Sequence, residues 1–479
     1  MSSPSGRCAL LILSALVAAC AEAPSQTTSP APQLSPPPVA LRNWENPALR
    51  DALTGLGAGP VDLATPLSAN EALAAALAFN PDLDVQRAQL ALARAEVMQA
   101  QQRPNPVLSL TPEHLLGAAN GVSPWVIALS LVWPLRTAGK RDLQIEQALA
   151  TSDATLLNGA STVWGLRTSV RGAVCSLEIA DAQRALAEQE AALRADLSQR
   201  LARQAEAGIA SRYDSMRSQL ERDQSLHRLR LAQSEMATAL HDLADVTGLP
   251  AAEIQRRTIG DDCLQGVSPD VQSLATLQER AIASRLDLRA KLAEYRAVDA
   301  AFRTEIKRRT PDLNLGPGYT YDQGDRRITF TLSGELPIYS HNDAAIARAS
   351  ADRDRVIAEF EKLQWSVHSG VERALDQLQL GERQLEDSQR VVREAQELLE
   401  RDRKRQLSGE LDQPAVIASQ LIEINAQLDS LDTVRTFVNA VTALEAAVQT
   451  PLAPPLFDAA AATRIVSPDT PTGTANEAH

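Results

Sequence analysis

The chain has 479 residues, of which 44% are hydrophobic, 22% charged and only 3% aromatic, and its formal net charge is −13. So few aromatic residues argue against several conventional globular cores and favour a long helical assembly. The acidic balance, without a basic cluster, excludes nucleic acid as an expected partner. No uncharged apolar run of about 18 residues follows the N-terminal segment, so membrane-spanning helices are excluded, whereas spanning β-strands are not.

The first residues are typical of a secretory signal peptide, expected to occupy residues 1–19. Arg7 precedes an apolar run that is too short to span a bilayer and that ends in small residues. The ending Val17-Ala18-Ala19-Cys20 resembles the bacterial lipobox, which predicts cleavage before Cys20 and lipidation of that cysteine. A plain signal peptide with an incidental cysteine is the alternative. Because Ala21 rather than aspartate follows, the resemblance implies anchoring in the outer membrane.

Residues 20–66 are expected to form a tether after the lipidated cysteine, because their first part is rich in Pro, Ser and Thr. Two further cysteines, Cys175 and Cys263, would lie in an oxidising compartment. They either pair as a disulfide or stay as two buried thiols, since the sequence does not show whether their Cα atoms lie close enough.

Proline placement predicts two very long helical stretches, since a helix interior rarely tolerates proline. No proline occurs between Pro134 and Pro250, and none between Pro337 and Pro414. Apolar residues recur within both stretches at helical spacing. A helix from about residue 137 to residue 207 would be roughly 100 Å long.

The two halves of the chain repeat the same landmarks in the same order. Pro106 corresponds to Pro311 at an offset of 205, and Pro134 corresponds to Pro337 at an offset of 203. We therefore predict a duplication of helix, two strands, long helix, tight turn and helix. The predicted organisation is a first repeat over residues 67–249, a linker over 250–270, a second repeat over 271–452 and a disordered tail over 453–479.

Between the prolines of each half, short segments alternate apolar and polar residues. The segment from Trp125 to Trp133 places apolar residues on one face with a Trp at each end, and residues 328–333 alternate in the same way. Residues 107–111 and 313–321 would complete two hairpins. Four strands of one chain cannot close a barrel, and an open edge is not tolerated in lipid, so a membrane location requires oligomerisation. Soluble hairpins packed on helix ends are the alternative.

These features resemble the outer membrane factor (TolC-type) family of bacterial efflux systems over most of the chain, from about residue 67 to residue 452. The duplicated plan, Asn80-Pro81, Pro134-Leu135 and two glycines near the helix breaks carry the resemblance. The segments Gln204 to Ser211 and Leu336 to Ala347 are most similar to the CzcC-like branch of heavy-metal efflux lipoproteins.

The resemblance implies a mainly α protein with a small β part. Long-helix hairpins would form a periplasmic α-barrel, and four strands per chain would contribute to a transmembrane β-barrel closed by a homotrimer. The implied function is a passive outer membrane channel subunit of a tripartite efflux system, with heavy-metal cations as one expected cargo. The implied partners are a periplasmic adaptor (membrane fusion protein), an inner-membrane RND-type pump and outer membrane lipid.

In this family the helix tips dock on the adaptor. The expected tip residues are Gly208, Ile209, Ala210, Ser211, Gly409, Glu410, Leu411 and Asp412. A glycine can end one helix, and Ser211 or Asp412 can cap the next, so helix-turn chemistry without a partner is the alternative. The family's gate aspartates fall on alanines here, Ala415 and Ala418. Asp214 and Asp412 are therefore the candidate gate acids, because one carboxylate per chain repeated threefold would favour cations.

Catalysis finds no support, so we expect neither an enzyme nor a cofactor. The six histidines lack ligand spacing, and phosphate loops, nucleophile elbows and Cys-x-x-Cys pairs are absent. Few methionines argue against a soft-metal site. The competing function is a structural periplasmic coiled-coil lipoprotein without a pore. An efflux adaptor is a third idea, but lipoyl-like and flanking β-barrel domains are missing.

Overall fold

Two helices of exceptional length dominate the computed structural model, which describes residues 42–56, 59, 61–117, 121–261, 263, 273–452 and 459–467. In chain order the elements are α1 Pro47–Gly55, α2 Ala69–Phe79, α3 Pro81–Gln101, β1 Val107–His114, β2 Trp125–Leu135, α4 Lys140–Glu206, α5 Arg212–Thr247, α6 Ala251–Ile254, α7 Leu274–Ser284, α8 Leu286–Lys307, β3 Leu313–Asp322, β4 Asp325–Gly334, α9 Asp343–Leu407, α10 Gln413–Val448 and α11 Ala459–Val466. The predicted signal peptide, the lipobox and Cys20 lie outside the described residues.

Helices α4 and α9 have 67 and 65 residues, which at 1.5 Å per residue makes each about 100 Å long. Each one packs against the shorter helix that follows it, α5 and α10 respectively, and both contact α8. The prediction of a mainly α protein with a small β part is confirmed. No helix among the described residues is both long and apolar enough to cross a membrane.

The same order of elements occurs twice: two short helices, two strands, a long helix and a second long helix. In each half, a side chain near the start of the half donates a hydrogen bond to a backbone carbonyl near the C-terminal end of the second long helix. In the first half, the Asn80 side chain donates to the Val246 carbonyl at 2.9 Å. In the second, the Arg285 guanidinium donates to the Ala447 carbonyl at 2.7 Å. Different side chains therefore make the same connection.

The four strands form one antiparallel sheet in the order β1-β2-β3-β4. Two hairpins, β1-β2 and β3-β4, come from the two halves, and β2 pairs with β3 to join them. The pairing runs from Val126–Asp322 to Leu135–Leu313. Strands β1 and β4 are the edges of the sheet, so each leaves one row of backbone groups unpaired within the chain.

A buried ion cluster links α4 of the first half to α10 of the second. Glu445 is fully buried, and its carboxylate accepts from Arg167 at 3.2 Å and from Arg171 at 2.8 Å. The Arg167 guanidinium also lies over the ring of Trp164, 5.1 Å from its centroid. Two guanidinium groups thus neutralise one carboxylate in the core, which satisfies the need of a buried charge for partners.

The predicted tether is wrong for its second part, because residues 42–56 are packed on the body. Trp44, Leu49 and Leu53 are buried, and the Trp44 indole donates to the Glu253 carbonyl at 2.8 Å. Leu49 and Leu53 are four residues apart on α1, so they present one apolar face to the core. Burial of three large apolar side chains and the Trp44 hydrogen bond offset part of the loss of chain entropy here.

The predicted disordered tail is also wrong for residues 459–467. Helix α11 contacts α3 and α4, and Ala462 and Val466 are buried. Val466 fits against α4 where Gly159 leaves space, since a Cβ on that glycine would lie 3.0 Å from the Val466 side chain. The Arg94 guanidinium also donates to the Ser467 hydroxyl. Packing against a groove, rather than composition, therefore orders this segment.

Candidate functional site

The sheet has one apolar face, built from alternate residues of all four strands. Directly paired residues of neighbouring strands lie on the same face. The directly paired residues Leu110–Leu129, Leu129–Tyr319 and Tyr319–Ile328 therefore all lie on one face, which extends across the four strands. The large apolar members of this face are Leu108, Leu110, Trp125, Ile127, Leu129, Leu131, Trp133, Leu135, Leu313, Leu315, Tyr319, Tyr321, Ile328, Phe330 and Leu332.

This apolar face is not covered by any other part of the described chain. Ile328, Phe330 and Leu332 of β4 are 74%, 78% and 68% exposed. A contiguous apolar surface of this extent is unfavourable in water and marks contact with lipid or protein. The Trp residues near the two ends of β2 have the amphipathic character that suits a membrane interface.

The opposite face, hereafter the polar face, carries mostly small and polar side chains, together with Val107, Val126 and Val132. Ser109, Ser130, Gly318 and Thr329 follow one another across the four strands. A Cβ at position 318 would lie 2.5 Å from the Thr329 hydroxyl, so any larger residue there would force the Thr329 side chain to move. Two faces of opposite character are what a wall between lipid and water needs.

The strands join the long helices at a polar joint between the two halves. Asp312, one residue before β3, accepts from the Lys140 ammonium at 2.8 Å and from the Thr137 amide at 2.9 Å. The Thr137 hydroxyl donates to the Pro311 carbonyl at 2.6 Å. Burial alone would raise the pKa of Asp312, but the donors Lys140 and Thr137 outweigh it and hold that pKa below its ordinary value.

The joint between β4 and α9 is held by hydrogen bonds from the same short segment that precedes β3. The Arg309 guanidinium donates to the His341 carbonyl at 3.1 Å and to the Asp343 carboxylate at 2.6 Å. A cleft of about 570 Å³ lies beside the two joints and is lined by charged and amide side chains, among them Arg136, Asn314 and Glu335. The segment before β3 thus fixes both β-to-α transitions of the described sheet.

The first helix tip is a tight turn between α4 and α5. Gly208 has a φ of +75°, which glycine adopts without strain. The amides of Ile209 and Ala210 donate back to the Gln204 carbonyl at 2.8 and 3.2 Å. The Ser211 hydroxyl accepts from the Asp214 amide at 3.1 Å and begins α5.

The second tip, between α9 and α10, repeats this geometry 201 residues later. Gly409 has a φ of +79°, and the Glu410 amide donates to the Arg405 carbonyl at 2.9 Å. The Asp412 carboxylate accepts from the Ala415 amide at 3.2 Å and begins α10. The predicted tip residues therefore lie together in two exposed turns, with Ala210 and Leu411 half-buried.

Both candidate gate acids have local partners. The Asp214 carboxylate accepts from the Ser211 hydroxyl at 2.8 Å, and the Asp412 carboxylate caps its helix. Both residues are exposed, so each carboxylate is hydrated. Their proposed role as a charge ring remains a prediction, and helix capping accounts for their local geometry.

Cys175 on α4 and Cys263 of the segment between the halves are joined by a disulfide, with Cα atoms 5.4 Å apart. The Cys263 amide also donates to the Glu178 carboxylate at 2.8 Å. The bond therefore fixes the segment between the repeats to the long helix of the first repeat. Among the described residues, no group of three or more His, Cys, Asp or Glu is placed to hold a metal ion.

Sequence reasoning missed the polar joint and the buried cluster around Glu445. Lys140 and Asp312 are 172 residues apart, and Arg167 and Glu445 are 278 residues apart. No local pattern marks either pair, because an isolated Lys or Glu on a helix usually lies on a solvated face. The repeat itself also gives no signal, since the counterparts of Lys140 and Asp312 are Asp343 and Val107.

Residues 72–249 match the family model described as outer membrane efflux protein. This segment includes most of α2, all of α3, the first hairpin and the first pair of long helices. No curated protein sequence matches the chain.

The fold is similar to that of solved outer membrane channels. The outer-membrane channel OprN has a TM-score of 0.66 at 17% identity, and the match covers 84% of this chain and 96% of OprN. CusC, solved in work on folding and transmembrane channel formation, has a TM-score of 0.65 at 18% identity, covering 87% and 98%. The CmeC outer membrane channel of Campylobacter jejuni has a TM-score of 0.65 at 12% identity, covering 82% and 90%. The chain therefore has the fold of these channels.

Proposed function

We propose that this chain is the outer membrane channel subunit of a tripartite efflux system and acts as a passive conduit from the periplasm to the outside. The two-faced sheet carries the proposal, because an apolar face opposite a small polar face is the wall of a water-filled passage through lipid. The similarity to outer membrane channels and the segment match to the efflux family support the same function.

The wall is completed by further copies of the chain. Four strands leave two open edges. In lipid, each unpaired backbone N–H or C=O group costs on the order of several kcal/mol. Three copies would supply about twelve strands, enough to enclose an aqueous lumen. The proposed assembly is therefore a homotrimer with the apolar faces toward lipid and the polar faces toward the lumen.

The long helices extend the conduit into the periplasm, and their tips are the proposed docking surface for a periplasmic adaptor and, through it, an inner-membrane RND-type pump. The tips are exposed and regular: Ile209 is 77% exposed between two capped helices. Cys20 is the proposed lipid anchor. Heavy-metal cations are the proposed cargo, and this rests on the sequence resemblance to the CzcC-like branch.

The proposal is tested by cysteine accessibility at two neighbouring positions of β4. Thr331→Cys lies on the polar face, and Phe330→Cys is its matched control on the apolar face. Each variant is reconstituted in liposomes and treated with a charged, membrane-impermeant thiol reagent, while K⁺ flux is recorded. We expect rapid modification and altered flux for Thr331→Cys, because its thiol faces the lumen. Phe330→Cys should stay unmodified in lipid.

Equal modification of the two cysteines, with no K⁺ flux, would contradict the proposal. That outcome would support the competing function, a periplasmic coiled-coil lipoprotein without a pore, in which both faces of the sheet meet water.

A further inference from the structure

The two hairpins of the sheet are related by constant offsets in sequence. The hairpin β1-β2 is carried onto β3-β4 by adding 205 to positions of the first strand and 203 to positions of the second. Under this rule Leu108–Leu131 becomes Leu313–Gly334, and Leu110–Leu129 becomes Leu315–Leu332. Both predicted pairs are observed, so the two hairpins have the same register.

The same rule applies to the pairing between the halves. Strand β2 pairs with β3 through Leu135–Leu313 and Trp133–Leu315. The counterpart of β2 is β4, and the counterpart of β3 is β1. When each strand of the β2-β3 pair is replaced by its counterpart, the result is a pairing of β4 of one copy with β1 of the next.

We infer that β4 pairs with β1 of a second copy in the register Ile338–Leu108 and Leu336–Leu110, and that β4 then extends four residues beyond Gly334. This inference rests on the proposed function, because it supplies the contact that closes the wall. It adds the register and the length of the strand, which the isolated chain does not contain.

The exposure of the segment after β4 supports the inference. Leu336 and Ile338 are 75% and 68% exposed, although their counterparts Trp133 and Leu135 lie within β2. In the isolated chain the Ile338 amide donates to the Leu336 carbonyl at 2.8 Å, a local bond that an extended strand would replace. Strand β2 reaches Leu135 because β3 lies beside it, whereas β4 has no neighbour on its outer side.

The faces of the sheet also agree with this register. Leu108 and Leu110 lie on the apolar face of β1, and Leu336 and Ile338 would continue the apolar face of β4. Their pairing keeps one apolar surface across the contact between copies. A slip of one residue would place apolar side chains opposite polar ones, so only slips of two residues compete.

The test is a matrix of four double-cysteine variants that uses the same four positions. The in-register pairs are Leu108→Cys with Ile338→Cys and Leu110→Cys with Leu336→Cys. The off-register pairs are Leu108→Cys with Leu336→Cys and Leu110→Cys with Ile338→Cys. Paired strand residues have Cβ atoms about 5 Å apart, against about 7–8 Å for diagonal neighbours. Copper-phenanthroline oxidation in the membrane should therefore link the in-register pairs several-fold faster.

The product must join different chains, because β1 and β4 are about 14 Å apart across the sheet of one chain. We expect a ladder of covalent dimers and trimers on denaturing gels, and none from the four single-cysteine variants. Leu129→Cys with Tyr319→Cys, a pair of β2 and β3, is the control that closes within one chain.

Faster oxidation of the off-register pairs, with covalent trimers present, would overturn the register and leave the proposed assembly standing. If none of the four pairs forms oligomers while the control pair closes, both the inferred contact and the proposed assembly are overturned.

Discussion

The substitution Glu445→Gln tests whether the buried ion cluster holds the two repeats together. The substitution keeps the size of the side chain and an oxygen for the Leu452 amide, which donates to Glu445 at 3.0 Å. It removes the negative charge that accepts from Arg167 and Arg171. The Arg167 side chain is 4% exposed and cannot reach water, whereas that of Arg171 is 22% exposed.

Loss of one partner of a buried ion pair typically destabilises a protein by about 3–5 kcal/mol, because the remaining charge stays unpaired. We expect the lower end, about 3 kcal/mol, since the Arg171 guanidinium can turn toward solvent. If this loss is expressed in the rate of irreversible unfolding, the half-life at a fixed temperature falls by about a hundredfold.

The assay is the half-life of the folded protein in detergent at one elevated temperature. Glu397→Gln is the matched control, because Glu397 pairs with Arg401 on the surface, with both side chains largely exposed, and such pairs contribute about 0–1 kcal/mol. Adding Arg167→Met to Glu445→Gln should recover part of the lost half-life by removing the unpaired charge. Equal half-lives for Glu445→Gln and Glu397→Gln would refute the reasoning.

Reduction of the Cys175–Cys263 disulfide, which spans 88 residues, should remove up to about 4–5 kcal/mol of loop-closure stabilisation, seen as faster proteolysis near residue 263; an unchanged proteolysis rate would contradict this. Gly208→Val and Gly409→Val should weaken adaptor capture in pull-down assays more than they reduce membrane assembly, because valine is strained at a φ near +75°. An equal loss of both would assign these glycines a purely architectural role. Asp312→Asn should make the free energy of unfolding fall less steeply as the pH is lowered. The lowered pKa of Asp312 contributes stability above about pH 4, and this stability is lost as the pH falls through the pKa of Asp312 in the folded protein. Because Asp312 is half exposed, the effect should stay below about 1 kcal/mol, and an unchanged profile would argue against the Lys140 contact.

The strands and long helices follow from local sequence patterns. Residues 125–133 alternate in character, and the structure places β2 there, with its Trp residues on the apolar face. The absence of proline between Pro134 and Pro250 anticipates α4 and α5, and Gly208 marks the break between them. Such features are readable because period and backbone preference are properties of short segments.

The segments at both ends of the body could not be read in this way. The Pro-, Ser- and Thr-rich composition of residues 21–42 led to the prediction of a tether over residues 20–66, yet Trp44 contacts a surface more than 200 residues away in sequence. Helix α11 is short and follows a proline-rich stretch, and its order depends on a groove beside Gly159. The polar joint and the Glu445 cluster depend in the same way on partners that only the fold brings together.

Recording of ionic current through planar bilayers tests most directly whether copies of this chain enclose a conduit. The account predicts discrete, cation-favouring conductance steps from the wild-type protein. If the tip carboxylates hold the passage closed, the account predicts discrete conductance steps from Asp214→Asn with Asp412→Asn. Bilayers that contain folded, oligomeric protein and remain silent with both forms would contradict the account.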